Sequence, residues 1–83
     1  MLLKAISLHS IEEIPKIQDE FRNKTILILK MTPLRQKSLE ELATAVQQLF
    51  EFATSMGGDI ARLGDERVVM TPPGVKIWRG GLQ

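Results

Sequence analysis

The sequence predicts an α/β fold, a two-layer sandwich with the element order β-α-β-α-β-β-β and two helices on one face of a mixed sheet. Three observations lead to this prediction. Four consecutive aliphatic residues at 26–29 are typical of a strand that is central in its sheet. Apolar residues at helical spacing lie on both sides of that strand. Beyond residue 57, short apolar runs alternate with Gly and Pro turn residues, which indicates further strands.

The composition indicates one small domain over residues 1–79 with a tail at 80–83, in a chain of 83 residues. A domain of this size buries only about 60% of its unfolded surface, so it gains stability from a partner. The absence of Cys excludes a disulfide framework and thiolate metal sites. The net charge of +1 is not the basic excess of a dedicated nucleic-acid binder. No apolar run approaches the ~20 residues of a membrane span, and no signal peptide is apparent.

The first half of the chain is expected to form a β-α-β unit. Residues 2–8 have strand character, and Ser10 with Glu13 has the spacing of a capping box. Because Pro is tolerated only in the first turn, the regular helix should begin near Pro15 and end by about Asn23. The strand at 25–31 then runs parallel to the first strand through a right-handed crossover. A loop broken by Pro33 is expected over residues 32–37.

A second helix should begin after Ser38, which forms a capping box with Glu41, and run to about Met56. Gly57 suits the left-handed position that follows a helix. One apolar stripe of this helix is expected to pack on the sheet, and it consists of Leu39, Leu42, Ala43, Val46, Phe50 and Ala53. A second flank makes the apolar arc wider than a one-sided helix needs, and it consists of Ala45, Leu49, Phe52 and Met56. This flank either lies deep in a small core or meets another protomer, and we predict the homodimer interface there.

The C-terminal part is predicted to form three strands at 59–63, 67–71 and 75–78. Gly64 and Asp65 separate the first two strands, as expected of a reversing loop. Pro73 followed by Gly74 suits the two central positions of a type II turn between the last two.

Enzyme chemistry has little support in the sequence. The only His, His9, is expected at a strand end, and the paired acidic residues fall in first helical turns, where the helix dipole favours them. There is no Walker loop, nucleophile elbow or metal-ligand spacing. We therefore predict no catalytic residue, no metal and no cofactor.

A peptide-binding surface is a better interpretation of the C-terminal strands. Ile60, Arg62, Val68 and Met70 combine apolar side chains with a cation. Met adapts to varied partners, and Arg suits an acidic or C-terminal peptide. The sequence leaves open which of these residues face outward, because a shift of one residue in register reverses the faces of a strand.

The alternative is a small nucleic-acid-binding domain of Alba-like topology. Arg62, Arg67, Lys76 and Arg79 lie on or beside the predicted strands, and Trp78 could stack on a base. Stacking platforms use more than one aromatic residue, however, and nearby acidic residues dilute the positive charge. No nucleic-acid partner is expected.

The segment from Gly57 to Ile77 resembles the SepF family of cell-division proteins. The matching residues, in order, are Gly57-Gly58-Asp59-Ile60, Arg62-Leu63-Gly64, Val68-Val69-Met70, Thr71-Pro72 and Val75-Lys76-Ile77. A weaker similarity extends back to about Leu3. The resemblance implies a small α/β core that dimerises and in bacteria polymerises further. It also implies binding of the C-terminal peptide of FtsZ, the tubulin-like division GTPase, and tethering of its filaments to the inner face of the cell membrane.

Carried over by residue, the resemblance implies a peptide pocket on the sheet around Arg62 and Val68, with Gly58 at the helix-to-strand junction. The dimer would use the second helix or the sheet edge. Two departures matter: the family's N-terminal amphipathic membrane-targeting helix is not evident before the first strand, and the second helix lacks the bacterial R-x-x-D-F-like pattern. We therefore expect an archaeal-type member that acts as a non-enzymatic, homodimeric adaptor. A self-assembling module without a partner is a further alternative.

Overall fold

The computed structural model describes residues 2–78 and contains a four-stranded sheet with the strand order β1-β2-β4-β3. The strands are β1 (Leu2–Ser7), β2 (Thr25–Lys30), β3 (Asp59–Leu63) and β4 (Arg67–Thr71). β1 is parallel to β2, whereas β4 is antiparallel to both β2 and β3. The predicted α/β class with a mixed sheet is therefore confirmed, including the parallel crossover.

The helices are α1 (Ile14–Arg22), α2 (Thr32–Lys37) and α3 (Leu39–Ser55), and a 3₁₀ turn at Ile11–Glu13 precedes α1. Pro15 lies in the first turn of α1, as predicted. The carboxylate of Glu13 accepts hydrogen bonds from the backbone N–H of His9 (2.6 Å) and of Ser10 (3.3 Å). At the start of α3, the Ser38 hydroxyl accepts from the Glu41 N–H at 3.2 Å.

The predicted loop at 32–37 is a short helix instead. Pro33 lies in its first turn, where its missing N–H costs nothing, and basic residues occupy its last turn. The helix contributes Leu34 to the core. Pro33 was therefore a sign of a helix start, not of a loop.

The predicted last strand is absent, because residues 75–78 have irregular backbone. Gly74, with φ of 89°, and the bond from the Val75 N–H to the Pro72 carbonyl (3.1 Å) form the predicted turn. Side chains of the sheet bind the backbone of the residues that follow this turn. The Thr71 hydroxyl donates to the Val75 carbonyl (2.6 Å), and the Asp59 carboxylate accepts from the Ile77 N–H (2.9 Å).

The core lies between the helices and one face of the sheet. It is formed by apolar residues from β2, β3 and β4, by all three helices, and by Leu8 and Met31 just after β1 and β2. No residue of β1 is fully buried, so this edge strand depends mainly on its pairing with β2.

The buried side of α3 differs from the predicted sheet-facing stripe, of which only Ala53 lies in the core. Ala45 and Leu49, predicted at the dimer interface, are 0% exposed and pack in the core with Ala53. Small residues at positions 45 and 53 let α3 lie close to its neighbours. The rest of the predicted stripe lies nearer the surface, where Leu39 is 67% exposed and Leu42, Val46 and Phe50 are half-buried.

Candidate peptide-binding groove

A groove of about 460 Å³ runs between α3 and the edge strand β3. Its walls are mostly apolar and are formed by Leu39, Leu42, Ala43, Val46, Gln47, Phe50 and Arg62. The helical spacing of 39, 42, 43, 46 and 50 places these side chains on one side of α3. An apolar floor beside one cation suits a peptide that carries both apolar and acidic side chains.

Arg62 is the predicted site residue that reaches this groove. It lies two residues after core residue Ile60 on β3 and is paired with core residue Val68, so its side chain emerges on the helix side of the sheet. Arg62 is exposed, and no ion pair found within residues 2–78 includes it. Its guanidinium is therefore available to a carboxylate of a partner.

The other predicted peptide-contacting side chains lie in the core. Ile60 is 7%, Val68 2% and Met70 0% exposed, and all three face the helices. The strand register, which places Ile60 opposite Met70, decides the face on which these side chains lie. The sequence alone left that face open. These residues support the strand that carries Arg62 and offer no surface to a peptide.

Gly58 has a structural role at the junction of α3 and β3. A Cβ atom there would overlap the Thr71 carbonyl and the ring of Phe21, so only Gly fits. Its N–H donates to the Ala53 carbonyl at 2.9 Å, and Gly57 before it has φ of 78°. These two glycines close the helix in the predicted left-handed turn.

Two of the predicted interface residues remain near the surface of α3. Phe52 is half-buried against Phe21 and lies 5.3 Å from the guanidinium carbon of Arg22, whereas Met56 is 38% exposed. Leu39, Leu42, Val46 and Phe50 are the groove residues that the prediction placed in the core. The signal that could have identified them is the pair of small residues Ala45 and Ala53, which mark the closely packed side of α3.

The cations proposed for nucleic-acid binding do not form one surface. Arg62 faces the helix side of the sheet and Arg67 faces the opposite side, while Lys76 lies in the irregular segment. Arg79 lies outside the described residues. A continuous basic stripe is therefore not formed by the cations of the described strands, and the alternative function is not supported.

Within residues 2–78, no cluster of three or more His, Asp or Glu side chains has a geometry that could hold a metal ion. His9 is exposed at the end of β1, with Nδ1 at 3.6 Å from a carboxylate oxygen of Glu13. None of the helices in this part of the chain is both long and apolar enough to cross a bilayer.

Comparison with known proteins connects this fold to cell division. The family model for Cell division protein SepF matches residues 3–77. A SepF-like protein from Pyrococcus furiosus is 31% identical, with a TM-score of 0.82 and coverage of 94% of this chain and 93% of that one. A SepF-like protein from Archaeoglobus fulgidus is 25% identical, with a TM-score of 0.88 over 100% of this chain and 99% of the other.

A third solved structure is Cell division protein SepF from Methanobrevibacter smithii in complex with FtsZ-CTD. It shares the fold, with a TM-score of 0.81 over 95% of this chain and 99% of that one, at 18% identity. A comparison with curated proteins gives no match. The family model covers nearly all of the described residues, and the sequence motifs at Gly57–Ile77 fall within it. On this evidence the chain belongs to the SepF family of cell-division proteins.

Proposed function

We propose that this protein is a non-enzymatic adaptor that binds the C-terminal peptide of FtsZ in the groove between α3 and β3. The observation that carries the proposal is the apolar groove with the unpaired Arg62 at its side. The family assignment and the FtsZ-CTD complex of the Methanobrevibacter smithii protein support the choice of partner. A peptide lying along the groove would place apolar side chains against Leu42 and Val46 and a carboxylate beside Arg62.

The wider role follows from the partner. An adaptor that holds FtsZ acts inside the cell, and we propose that it lies at the inner face of the membrane at the division site. Homodimerisation belongs to the same proposal, because a dimer presents two grooves and raises the avidity for a filament that displays many tails. The partly exposed surface formed by Phe52 and Met56 supports the proposal of homodimerisation. Higher polymers would use further surfaces.

Calorimetry tests the peptide site directly. The protein is titrated with the C-terminal peptide of FtsZ from the same genome. Arg62→Glu should weaken binding at least about tenfold, equivalent to about 1.4 kcal/mol, because it puts a negative charge where a carboxylate of the peptide is proposed to lie. Leu39→Ser should also weaken binding, and because Leu39 is 67% exposed it leaves the core intact.

Lys16→Glu is the matched control for Arg62→Glu. Lys16 is exposed on α1 and does not line the groove, so the same change of charge should leave peptide affinity unaltered. If wild-type protein that is folded by circular dichroism gives no heat with the peptide, the proposed partner is wrong. If Lys16→Glu weakens binding as much as Arg62→Glu does, the charge effect is general and the groove is not the site.

A further inference from the structure

The free edge of β1 carries backbone groups that the rest of the described chain does not use. β1 is an outermost strand, and its neighbour in the sheet is β2. Directly after β1, the Leu8 N–H donates to the Lys30 carbonyl at 3.0 Å. Because the backbone groups of successive strand residues point to alternate sides, those of Leu3, Ala5 and Ser7 point away from β2. Within residues 2–78, no hydrogen bond engages these outward N–H and C=O groups.

This edge lacks the features that protect most sheet edges from pairing with another strand, which are Pro, bulges and free charges. β1 contains no Pro, and its pairing with β2 continues without a bulge over all 6 residues. Its one charged side chain, that of Lys4, lies on the helix side and forms an ion pair with Glu20. Leu2 and Leu3 are each 64% exposed. The edge is therefore a template for a further strand.

We infer that β1 pairs antiparallel with β1 of a second copy of this chain, across a two-fold axis perpendicular to the sheet. A second copy presents the same unprotected edge, so one contact covers the exposed backbone of both molecules. The two four-stranded sheets would then join into one continuous sheet. Because the axis is perpendicular to the sheet, the helices of both copies stay on the same side and do not collide with the opposing strands.

The sequence of β1 is complementary to itself in one register. With the axis at Ala5, this residue faces Ala5 of the second copy and Leu3 faces Ser7, so every outward residue exchanges two hydrogen bonds. On the helix side, Lys4 then faces Ile6. An axis at Lys4 would place like charges directly opposite each other, which destabilises a sheet. An axis at Ile6 would leave Leu3 opposite a position beyond the end of the strand.

The edge contact is separate from the homodimer interface proposed at Phe52 and Met56. One pair of short strands buries less than the about 1,600 Å² of a standard stable interface, so this association should depend on protein concentration. Two different two-fold contacts on one molecule produce an open chain of copies instead of a closed dimer. The β1 edge thus supplies a defined contact for growth beyond a dimer.

The test compares Ala5→Pro with Ala5→Val by sedimentation velocity over a range of protein concentrations. Both variants also carry Met56→Glu, so that the interface proposed on α3 does not contribute. Pro removes the outward N–H at the centre of the contact and takes no bond from the β1–β2 ladder. Val keeps this N–H and suits a strand. Ala5→Pro should self-associate at least about tenfold more weakly than Ala5→Val, because it loses the central hydrogen bonds.

Cross-linking measures the register and uses no Pro variant. The chain contains no Cys, so single substitutions report single positions. Ala5→Cys should form a disulfide-linked dimer under mild oxidation, because the two Cα atoms of a hydrogen-bonded pair lie about 5.5 Å apart. Leu3→Cys is the matched control, since its two copies would lie about 13 Å apart along the strands. A mixture of Leu3→Cys and Ser7→Cys should cross-link.

Four outcomes would overturn the inference. They are a wild-type protein that stays monomeric up to its solubility limit, equal association of Ala5→Pro and Ala5→Val, weaker association of Ala5→Val, which would assign the contact to side chains of the sheet, and cross-linking of Leu3→Cys as readily as Ala5→Cys. Protection of the Leu3, Ala5 and Ser7 amides only after addition of FtsZ peptide would assign the edge to a peptide instead. Ala5→Pro should leave affinity for that peptide unchanged, so the edge contact and the groove can fail independently.

Discussion

The ring of Phe52 in α3 meets the ring of Phe21 in α1 edge to face, with centroids 5.4 Å apart and an interplanar angle of 67°. The Arg22 guanidinium carbon lies over the same ring, at 5.3 Å from its centroid. Phe52 is also part of the predicted homodimer interface. Its contacts within the chain link α1 to α3, so its substitution is expected to change stability as well.

Phe52→Ala should lower the free energy of unfolding by about 2–3 kcal/mol, less than the 3–5 kcal/mol of a fully buried Phe, because the ring is half-buried. Urea denaturation measures the change. Met56→Ala is the matched control one turn further along α3, and it should stay within about 0.5 kcal/mol of wild type. Equal stability of the two variants would show that the ring pair contributes nothing.

Gly58→Ala should destabilise the protein by more than about 2 kcal/mol, because the new methyl group would overlap the Thr71 carbonyl and the Phe21 ring. Gly57→Ala is the control. It places no atom within 4 Å of a neighbour, so its cost is the backbone strain of a positive φ, about 1 kcal/mol. The melting temperatures of both variants check the order, and a Gly57→Ala that is the more damaging would contradict it.

The N-terminus of α1 predicts a pH dependence of stability. The His9 N–H is the chief cause that lowers the pKa of Glu13 below its ordinary value of 4.5, and the Ser10 N–H adds to it. The unfolded chain therefore binds this proton more readily than the folded chain. The stabilisation is complete above the ordinary pKa and is lost as the pH falls through the lower folded pKa.

Thermal melts between pH 3 and pH 7 measure this loss. Glu13→Gln should be less stable than wild type at pH 7, and the difference should shrink as the pH falls, because protonation removes the charged acceptor from the wild type and the variant lacks it throughout. The pKa of Glu12 is also lowered, chiefly by its own backbone N–H and then by the Ser10 hydroxyl, so some slope should remain in the variant. A constant difference between the two proteins across the range would exclude Glu13 as a source.

Self-association is tested best at Met56. Met56→Glu puts a charge on the exposed end of the predicted interface without removing the Phe52–Phe21 contact, so the monomer fraction in sedimentation equilibrium should rise. Thr44→Glu is a control at an exposed polar position near the start of the same helix. An unchanged profile for Met56→Glu would place the interface elsewhere.

The features that followed from local chemistry were predictable. The aliphatic run at 26–29 lies in the central strand β2, α3 begins directly after Ser38, and Gly57 follows its end. Each of these features depends on residues that are neighbours in sequence. The prediction of a last strand was wrong, because side chains of other residues bind this part of the backbone. Residues 75–78 have strand-like composition, but the side chains of Thr71 and Asp59 take the backbone groups of Val75 and Ile77.

The orientation of the surfaces was not predictable. The predicted peptide site comprised Gly58, Ile60, Arg62, Val68 and Met70. Only Arg62 lines the groove, since the faces of the hairpin depend on a strand register that the sequence left open. The arc of α3 is apolar on both sides. The buried side of α3 is the side that carries Ala45 and Ala53, because small residues allow the helices to approach closely.

The absence of a fully buried side chain in β1 has a consequence for how the molecule opens. Its six residues are held mainly by the ladder to β2, with the Lys4–Glu20 ion pair and the half-buried Ile6 as further contacts, whereas Leu8 directly after them is 0% exposed. The strand can therefore detach while the hydrophobic core stays assembled, as a local opening that costs less than global unfolding. In native-state hydrogen exchange, amides 2–7 would lose protection first, and the cooperative folding unit would begin at Leu8.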